Sequence, residues 1–286
     1  MKSNIPTWRE IGKAARALAA RLPGDRFLKL VFVGCINVGK SRSNPIRGNL
    51  VATGLREAFG HILHTLSPDD QVRACVWFVQ AKDTRTVTRA QRVGYIIKAG
   101  LTDDFVRDEL GLNVKAYADE LTEMVEGLNK ATHVRPNTIL THGPTIRELF
   151  MDVVTGLDTL LDAARDSRRM VEEAVAATLH DAVFEKMIGE AIQELDELST
   201  HTTIDYHMVE RIEVEEMDAA TISYVVTGEV AVELQFGTGS DVRNDIGYRD
   251  TDSYPYEARA EVAVTDPLNI SADDVEVKVD TDSYYE

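Results

Sequence analysis

The spacing of apolar residues changes once along this chain, at Ser199–Thr203. Before that point apolar residues mostly recur every three or four positions, which is typical of amphipathic helices. Beyond it, stretches alternate apolar and polar residues, which is typical of half-buried strands. Helices followed by strands predict an α+β protein, with an N-terminal helical domain followed by a C-terminal antiparallel β-sheet or sandwich domain. The predicted strands are Ile204–Glu215, Thr221–Phe236 (with a bulge or bend at Gly228), Tyr254–Val264 and Val275–Val279.

The same patterns divide the chain into three segments. Residues 1–44 are predicted to hold a helix, opened by a capping box at Thr7–Glu10, and a strand over the apolar run Phe27–Gly34. Residues 45–200 form the predicted helical domain, and residues 201–286 form the predicted antiparallel β domain. The strongest helical repeat follows Thr141–Thr145 and predicts two long helices, or one bent helix, packed as a hairpin. Shorter helices are predicted at Thr88–Ala99, Thr102–Leu110 and Val114–Ala131.

Charge is distributed as unevenly as the periodicity. The formal net charge of the chain is −17, yet residues 1–142 carry 21 Lys and Arg against 14 Asp and Glu. Residues 200–286 carry 5 against 21. A basic region followed by an acidic one predicts a surface for a polyanion near the N-terminus. The other interpretation is that these cations are solvated or pair with the acidic C-terminal part.

The candidate nucleic-acid-binding residues lie in this basic region. Arginine and lysine neutralise phosphates, and the interleaved Trp77, Phe78 and Tyr95 supply aromatic rings of the kind that stack on bases. We therefore expect RNA or DNA as the partner of this region. The predicted binding residues are Lys40, Arg42, Arg47, Arg73, Lys82, Arg85, Arg89 and Arg92.

An arginine and a histidine on one predicted helix form the candidate catalytic pair. The spacing of Arg56 and His61 resembles the Arg-x4-His motif of the helical ribonucleases of the HEPN superfamily. In such a site histidine transfers a proton at neutral pH, and arginine holds the scissile phosphate. The other interpretation pairs Arg56 with Glu57 or Asp69 and leaves His61 as a boundary residue. The second candidate contributors are His133 and Arg135, which follow a predicted helix.

Gly34–Ser41 matches the phosphate-binding pattern GxxxxGKS/T and follows a predicted strand, as that loop requires. Two features count against it. Pro45 lies where the next helix should begin, and it would remove an amide and push Asn44 away from helical geometry. The chain also has no later strand that ends in a convincing Mg²⁺-binding aspartate. Nucleotide binding through Lys40 and Ser41 is therefore the second alternative function.

Carboxylates in the C-terminal part form a weaker signal for a metal site. Glu276-Val277-Lys278 has the E-x-K form of restriction-type nucleases, with Asp266 and Asp274 upstream. Clustered carboxylates suit Mg²⁺, which is the cofactor that this pattern suggests. Because an E-x-K in an acidic alternating strand is mostly a solvated face, no metal ligands are predicted. His180, Asp181 and Glu185 are interpreted as surface residues.

Cysteine content and hydropathy bear on the compartment. Cys35 and Cys75 have apolar sequence neighbours and are expected to be reduced core residues. The N-terminus has no apolar leader, and no stretch approaches the length of a membrane span. We expect a cytoplasmic protein that does not associate with membranes.

Three stretches taken together resemble a known family, and the order LREA, HTLSPDDQV, TRAQR is their distinctive part. They are similar to the predicted nucleases associated with prokaryotic PIWI proteins. The resemblance implies a place among bacterial phage-defence genes, with defence-system partner proteins, and "nuclease" in the family name is itself a prediction. The stretches are Asn44–Phe78, Thr84–Leu101 with Leu128–Pro136, and Thr227–Tyr248.

The favoured function is a defence-associated effector that acts on nucleic acid, with Arg56 as phosphate clamp and His61 as proton-transfer group. The main alternative is a non-catalytic interaction module of a defence system, in which the β domain and long helices hold partner proteins.

Overall fold

The computed structural model describes residues 5–285, and the chain divides into two compact units. The helical unit consists of Met1–Ala99 and Leu112–Ser167, and the sheet unit consists of Gly100–Gly111 and Arg168–Glu286. The predicted α+β class is confirmed, because helices precede a four-stranded antiparallel sheet. The helices are α1 (Trp8–Ala20), α2 (Arg26–Lys40), α3 (Arg47–Leu66), α4 (Asp69–Ala74), α5 (Arg89–Lys98), α6 (Asp103–Asp108), α7 (Val114–Thr132), α8 (Gly143–Gly189), α9 (Gln193–Asp196) and α10 (Gly239–Arg243). The strands are β1 (His201–Met217), β2 (Thr221–Phe236), β3 (Tyr248–Ala263) and β4 (Val275–Val279).

The segment Phe27–Gly34 lies inside helix α2, so the predicted strand is wrong. Asp25 caps this helix, because its carboxylate accepts a hydrogen bond from the Leu28 amide at 2.8 Å. Buried residues then recur every three or four positions from Leu28 to Gly39, on the side that packs against α1 and α3. Burial of this face outweighs the strand propensity of a short apolar run.

The phosphate-loop pattern belongs to the same helix. Gly34–Lys40 lies in α2, and Ser41 caps its C-terminus. A phosphate-binding loop needs an irregular turn between a strand and a helix, so that its backbone amides face the phosphates. Gly39 has a packing role instead, because a Cβ there would stand 2.2 Å from the Trp8 ring. The nucleotide-binding alternative is therefore wrong for this motif.

Helix α3 lies at the centre of the helical unit and packs against α2, α5 and α7. Its side chains Leu55, Phe59 and Ile62 are buried, as is Phe150 of α8. Each such side chain contributes about 1.5–3 kcal/mol relative to an exposed one. Helices α5, α6 and α7 occur where the apolar spacing predicts them, with small differences at their ends.

Helix α8 is one continuous helix of 47 residues, so of the two predicted alternatives the pair of helices is wrong and the single long helix is the one that forms. The charged stretch Arg165–Arg169 interrupts the apolar repeat without ending the helix, because arginine and aspartate have no special backbone requirement there. The two compact units meet in sequence within this helix, between Ser167 and Arg168. Among the described residues, no helix is long and apolar enough to cross a membrane.

The sheet has the strand order β1-β2-β3-β4, and each strand is antiparallel to its neighbours. Strands β2 and β3 pair along their whole length, from Thr221 opposite Ala263 to Phe236 opposite Tyr248. The even-numbered residues of β2 are buried from Ile222 to Leu234, which is the alternation that the sequence predicts. Of the two forms expected for this domain, the single antiparallel sheet is the one that the described strands adopt.

Strand β1 is an edge strand with three bulges. Its register against β2 shifts between Ile204 and Tyr206, between Val209 and Arg211, and between Val214 and Glu216. The residues left without a partner are acidic in each case: Asp205, Glu210 and Glu215. Bulges and charges on an edge strand disfavour pairing with a further strand. The bulge that the sequence predicts near Gly228 therefore lies in β1 rather than in β2. Gly228 pairs with Val209, and the register shift in β1 follows directly after Val209.

A buried histidine lies in the core of the sheet unit. His207 is 7% exposed, and its ring stacks on Phe184 with 5.4 Å between centroids. Its Nδ1 is hydrogen-bonded to the Tyr256 hydroxyl at 3.0 Å, whereas its Nε2 is buried without a partner in the described part of the chain. Burial lowers the pKa of His207, and His180 lowers it further, against the smaller opposing effects of the His180 backbone and Asp181. The fold therefore favours the neutral ring.

We expect opposite effects on stability from two glycine-to-alanine substitutions in α2. Gly34→Ala should raise the free energy of unfolding by about 0.5–1 kcal/mol, because open space surrounds the position and alanine favours helix. Gly39→Ala should lower it by about 1–3 kcal/mol, because the Trp8 ring must move. Urea unfolding followed by circular dichroism measures both. A destabilised Gly34→Ala variant would contradict a helical α2.

We expect His207 to make stability depend on pH. Its pKa is lowered in the folded state, so as the pH falls below about 6.5 the unfolded chain binds a proton that the folded chain does not. The free energy of unfolding should then fall by up to about 1.4 kcal/mol per pH unit, until the folded-state pKa is reached. Urea unfolding at pH 7.5 and 5.5 should show a smaller pH effect in His207→Gln than in the wild type or in the exposed-site control His201→Gln. Equal pH effects in all three proteins would refute this.

Candidate nucleic-acid interface

A cavity of about 590 Å³ lies in the helical unit, between the end of α3, the start of α5 and the loop before α5. Its lining combines a histidine, two arginines, a carboxylate and several hydroxyl groups. Such a combination provides a proton-transfer group, cations and hydrogen-bond donors for a phosphate-bearing ligand. The polar lining residues are His64, Asp69, Thr84, Thr86, Thr88, Arg89, Arg92 and Thr122.

The loop between α4 and α5 is held in place by its own polar side chains. The Arg73 guanidinium donates hydrogen bonds to Gln80 Oε1 at 2.9 Å and to the Arg85 carbonyl at 2.6 Å. Gln80 in turn donates to the loop backbone at 2.7 Å. Thr88 then begins α5 with a capping box. These bonds fix the threonine hydroxyls at the rim of the cavity.

Arg92 also lines the cavity, but it is a structural cation. It is 2% exposed, and it donates to the Ser67 carbonyl at 2.5 Å and to the Asp69 carboxylate. The hydrogen bond from Arg92 is the main cause of a lowered pKa of Asp69, and the charges of Arg92, His64 and Arg73 add to it. Because its hydrogen-bonding atoms are already used inside the fold, Arg92 does not fit the predicted role of a surface phosphate contact.

Of the histidine and the two arginines that line the cavity, His64 and Arg89 remain accessible. Both are exposed, His64 in the last turn of α3 and Arg89 in the first turn of α5. Arg89 makes no ion pair with the residues that the structure describes. His64 was not among the predicted site residues. The available signal was its position beside the Ser67-Pro68 helix end, within a stretch that carries the family resemblance.

The two residues of the predicted catalytic pair do not line the cavity, and each of them contacts a carboxylate. Arg56 pairs with Glu57 at 2.7 Å, which is one of the partners expected in the structural interpretation. His61 Nε2 lies 2.7 Å from Asp25 Oδ2, and its ring contacts Phe27 with 4.7 Å between centroids. Burial raises the pKa of Asp25, but hydrogen bonds from Leu28 and His61 more than offset this and lower it overall. Each member of the pair therefore contacts its own carboxylate, and their joint catalytic role stays a prediction.

His133 and Arg135 lie in an exposed turn after α7 and do not line the cavity. The turn is held by Asn49, which is fully buried in α3. Asn49 Nδ2 donates to the carbonyls of Ala131 at 2.8 Å and Thr138 at 2.9 Å. The turn is therefore well fixed, but the predicted catalytic role of its side chains is untested.

The remaining predicted cations differ in their surroundings. Lys40 and Arg42 are exposed at the end of α2, and Arg47 is partly buried at the start of α3. Arg73 is engaged in the loop and lies over Phe78 at 5.5 Å. The exposed cations beside the cavity lining are Lys82, Arg85 and Arg89.

Two of the three aromatic residues proposed for base stacking serve the fold. Tyr95 is 8% exposed. Trp77 donates its indole N–H to the Ala99 carbonyl at 2.8 Å, and Lys98 lies over its ring at 4.4 Å. Tyr95 is therefore too buried to stack on a base, and Lys98 already occupies one face of the Trp77 ring.

Asp274 and Glu276 border one pocket of the sheet unit, together with Glu215, Glu261 and Asp273. Among residues 5–285, no group of three His, Cys, Asp or Glu side chains lies close enough to hold a metal ion. Glu276 and Lys278 lie on β4, and Asp274 accepts hydrogen bonds from Ser271, which lower its pKa. His180 is bonded to Asp181 at 3.2 Å. Mg²⁺ as a cofactor stays a prediction.

Comparison with known protein families shows which family the chain belongs to. Two family models match it, both described as "Predicted pPIWI-associating nuclease", one over residues 19–157 and the other over residues 164–285. Together they cover nearly the whole chain, which therefore belongs to these predicted pPIWI-associating nuclease families. The resemblance found in the sequence is confirmed. No curated protein and no solved structure matches the chain.

We expect Arg92 and Arg89 to differ in their effect on stability. Arg92→Met should lower the free energy of unfolding by about 2 kcal/mol or more, because it leaves Asp69 and the Ser67 carbonyl without their donor. Arg89→Met should change it by less than about 0.5 kcal/mol, because Arg89 is exposed. Urea unfolding of both variants measures this. Equal destabilisation would contradict the distinction between the two arginines.

Proposed function

We propose that this chain is a defence-associated effector that binds nucleic acid at the cavity between α3 and α5 and cleaves it there. The observation that carries the proposal is the presence of His64, Arg89 and threonine hydroxyls in one cavity. Membership of predicted nuclease families supports a nuclease-like role. The proposal moves the active site from Arg56 and His61 to a neighbouring part of the same helix.

His64 and Arg89 have the properties that phosphodiester cleavage requires. Histidine accepts or donates a proton near neutral pH, and it is accessible here. Arginine binds phosphate oxygens with a planar set of donors and stabilises the charge that develops on them. Arg92 and Asp69 form the fixed pair behind them. His64 is thus the proposed proton-transfer group, and Arg89 is the proposed phosphate clamp.

The rim of the cavity provides the electrostatic attraction for a polyanion. Lys82 and Arg85 are exposed in the loop whose threonines line the cavity. Neutralisation of phosphates by such cations releases counterions, so binding weakens as the salt concentration rises. RNA or DNA is therefore the proposed ligand, with the loop before α5 as its main contact.

A non-catalytic interaction module is the second candidate, and helix α2 favours it. Phe27 is 46% exposed, Leu30 71% and Val33 57%, and they lie on α2 at a spacing of three residues. The helix carries three basic residues and no acidic one. An apolar, basic helix face of this kind is typical of a protein interaction surface. In that case the exposed cations of the cavity would have no nucleic-acid ligand.

We expect cleavage to depend strongly on His64 and Arg89 and much less on Arg56 and His61. The test incubates labelled RNA, single-stranded DNA and duplex DNA with the full chain, with and without Mg²⁺. Replacement of His64 by Ala should reduce the rate about 10²–10⁴-fold, which is the usual contribution of a general acid or base. Arg89→Ala should weaken both cleavage and binding.

The matched control is the double variant Arg56→Ala with His61→Ala, in the same helix. Loss of cleavage in this control, with full activity in His64→Ala, would return the site to Arg56 and His61. Absence of cleavage together with absence of salt-dependent oligonucleotide binding would favour the interaction module. Cleavage that needs Mg²⁺ and survives all four substitutions would refute the histidine mechanism.

A further inference from the structure

Two arginine side chains converge at the N-terminus of α8, among residues that do not line the cavity. Arg47 Nη2 and Arg147 Nη1 lie 3.6 Å and 3.5 Å from the point where a Cβ on Gly143 would stand. Arg47 is the first residue of α3, whereas Arg147 lies one turn into α8. Helical side chains lean toward the helix N-terminus, so Arg147 reaches back over the first turn. The fold thus brings two distant cations to one place.

Neither guanidinium has a carboxylate partner within residues 5–285. Arg47 Nη2 donates to the Thr141 carbonyl at 3.1 Å, and Arg147 Nε donates to the Pro6 carbonyl at 2.7 Å. Arg47 Nε is buried and has no acceptor in the described part of the chain. A buried charged donor without an acceptor is unfavourable, so this atom in particular calls for an anion or another acceptor.

Arg47 and Arg147 lie beside the N-terminus of α8, where they increase the positive electrostatic potential of the helix end. The N-terminus of a helix carries a partial positive charge, which favours anions and disfavours cations. Two guanidinium groups beside the start of α8 therefore repel both each other and the helix end. A compact anion between them would offset all three charges and accept hydrogen bonds from both arginines. Without such a ligand, the two arginines are placed unfavourably.

The two guanidinium groups are the side chains nearest to the position of a Cβ on Gly143. Gly143 has no side chain, so the space that a Cβ would take between the two guanidinium groups is open. The Thr145 hydroxyl lies in the same first turn, 3.0 Å from His142 Nδ1. The preceding segment is fixed, because Leu140 N donates to Asn49 Oδ1 at 3.1 Å. The two arginines thus border a small, well-ordered polar site.

We propose that Arg47 and Arg147 form a phosphate-binding site for nucleic acid at the N-terminus of α8. Guanidinium groups match phosphate oxygens in pairs, which favours phosphate over a carboxylate of lower charge. The source of the phosphate is a strand terminus or an internal phosphodiester. The choice of nucleic acid rests on the proposed function, but the site shares no residue with the catalytic cavity.

The first experiment titrates the full chain with inorganic phosphate at constant ionic strength and follows arginine side-chain NMR signals and the melting temperature. Wild type and the exposed-site control Arg16→Gln should respond to phosphate and not to chloride. The double variant Arg47→Gln with Arg147→Gln should bind phosphate at least tenfold more weakly. An equal phosphate response in the double variant, or no response in the wild type, would overturn the proposal.

Substitution of Arg147 also removes its hydrogen bond to the Pro6 carbonyl. This structural effect must be distinguished from a loss of phosphate binding. Arg147→Lys keeps the charge and removes the planar pair of donors. It should fold, and it should bind phosphate several-fold more weakly than the wild type. A variant that lowers the melting temperature and leaves the affinity for phosphate unchanged would show that Arg147 has only a structural role, and would overturn the proposal.

The second experiment compares RNA and DNA oligonucleotides that carry a 5′-phosphate or a 5′-hydroxyl, by fluorescence anisotropy. A tenfold preference for the 5′-phosphate that disappears in the double variant would identify a strand terminus as the ligand. Equal affinities that both fall in the double variant would identify internal phosphodiesters. Oligonucleotide affinities that do not change in the double variant would overturn the nucleic-acid assignment.

The failure of this inference is distinguishable from the failure of the proposed function. His64→Ala removes the proposed proton-transfer group and should leave the phosphate affinity of the arginine pair unchanged. A chain that cleaves no nucleic acid and still binds phosphate through Arg47 and Arg147 would refute the nuclease and keep the phosphate site. Cleavage by the double variant with unchanged KM would keep the nuclease and refute a role of the site in substrate binding.

Discussion

One buried amide joins the start of α3 to the end of α7 and to the chain that leads into α8, which is the part of the helical unit that carries the proposed arginine pair. The side chain of Asn49 is inaccessible to solvent, and it donates to carbonyls at the end of α7 and in the following turn while it accepts from the Leu140 amide. Gly48 beside it leaves room for Leu140, whose carbonyl would lie 2.3 Å from a Cβ there. A buried polar side chain with all these bonds fixes the packing more specifically than an apolar one. The chain between α7 and α8 is therefore set against α3.

The basic half of the chain serves two purposes that its sequence does not separate. Some cations stabilise the fold, because Arg92 is buried against Asp69 and Arg73 holds the loop before α5. Others, such as Arg89, remain accessible at a cavity that also contains His64. The cations that form hydrogen bonds inside the fold hold the segments that carry the accessible cations in place. The buried Arg92 thus contributes to the proposed site by shaping it rather than by contacting the ligand.

The periodicity of apolar residues predicted most of the architecture correctly, but it failed for helix α2. It located α5, α6, α7 and the antiparallel sheet, because one face of each is buried and the other is solvated. It failed for α2, since an eight-residue apolar run fits a strand or a buried helix equally well, and packing against α1 and α3 decided for the helix. For the candidate site, residue types and spacing indicated arginine and histidine chemistry on α3. Residue types and spacing could not show that Asp25, which is distant in sequence, contacts His61.

The sequence by itself determined the α+β class, with helices before an antiparallel sheet, the separation of charge and the family, because each of these follows from local patterns along the chain. Only the tertiary structure decided which cations are available and which are buried. It also brought Arg47 and Arg147 to Gly143, and His64 and Arg89 to the lining of one cavity. The physical reason is that the environment of a charged side chain is set by groups distant in sequence. Burial and pairing arise only when helices pack, whereas periodicity and composition exist before folding.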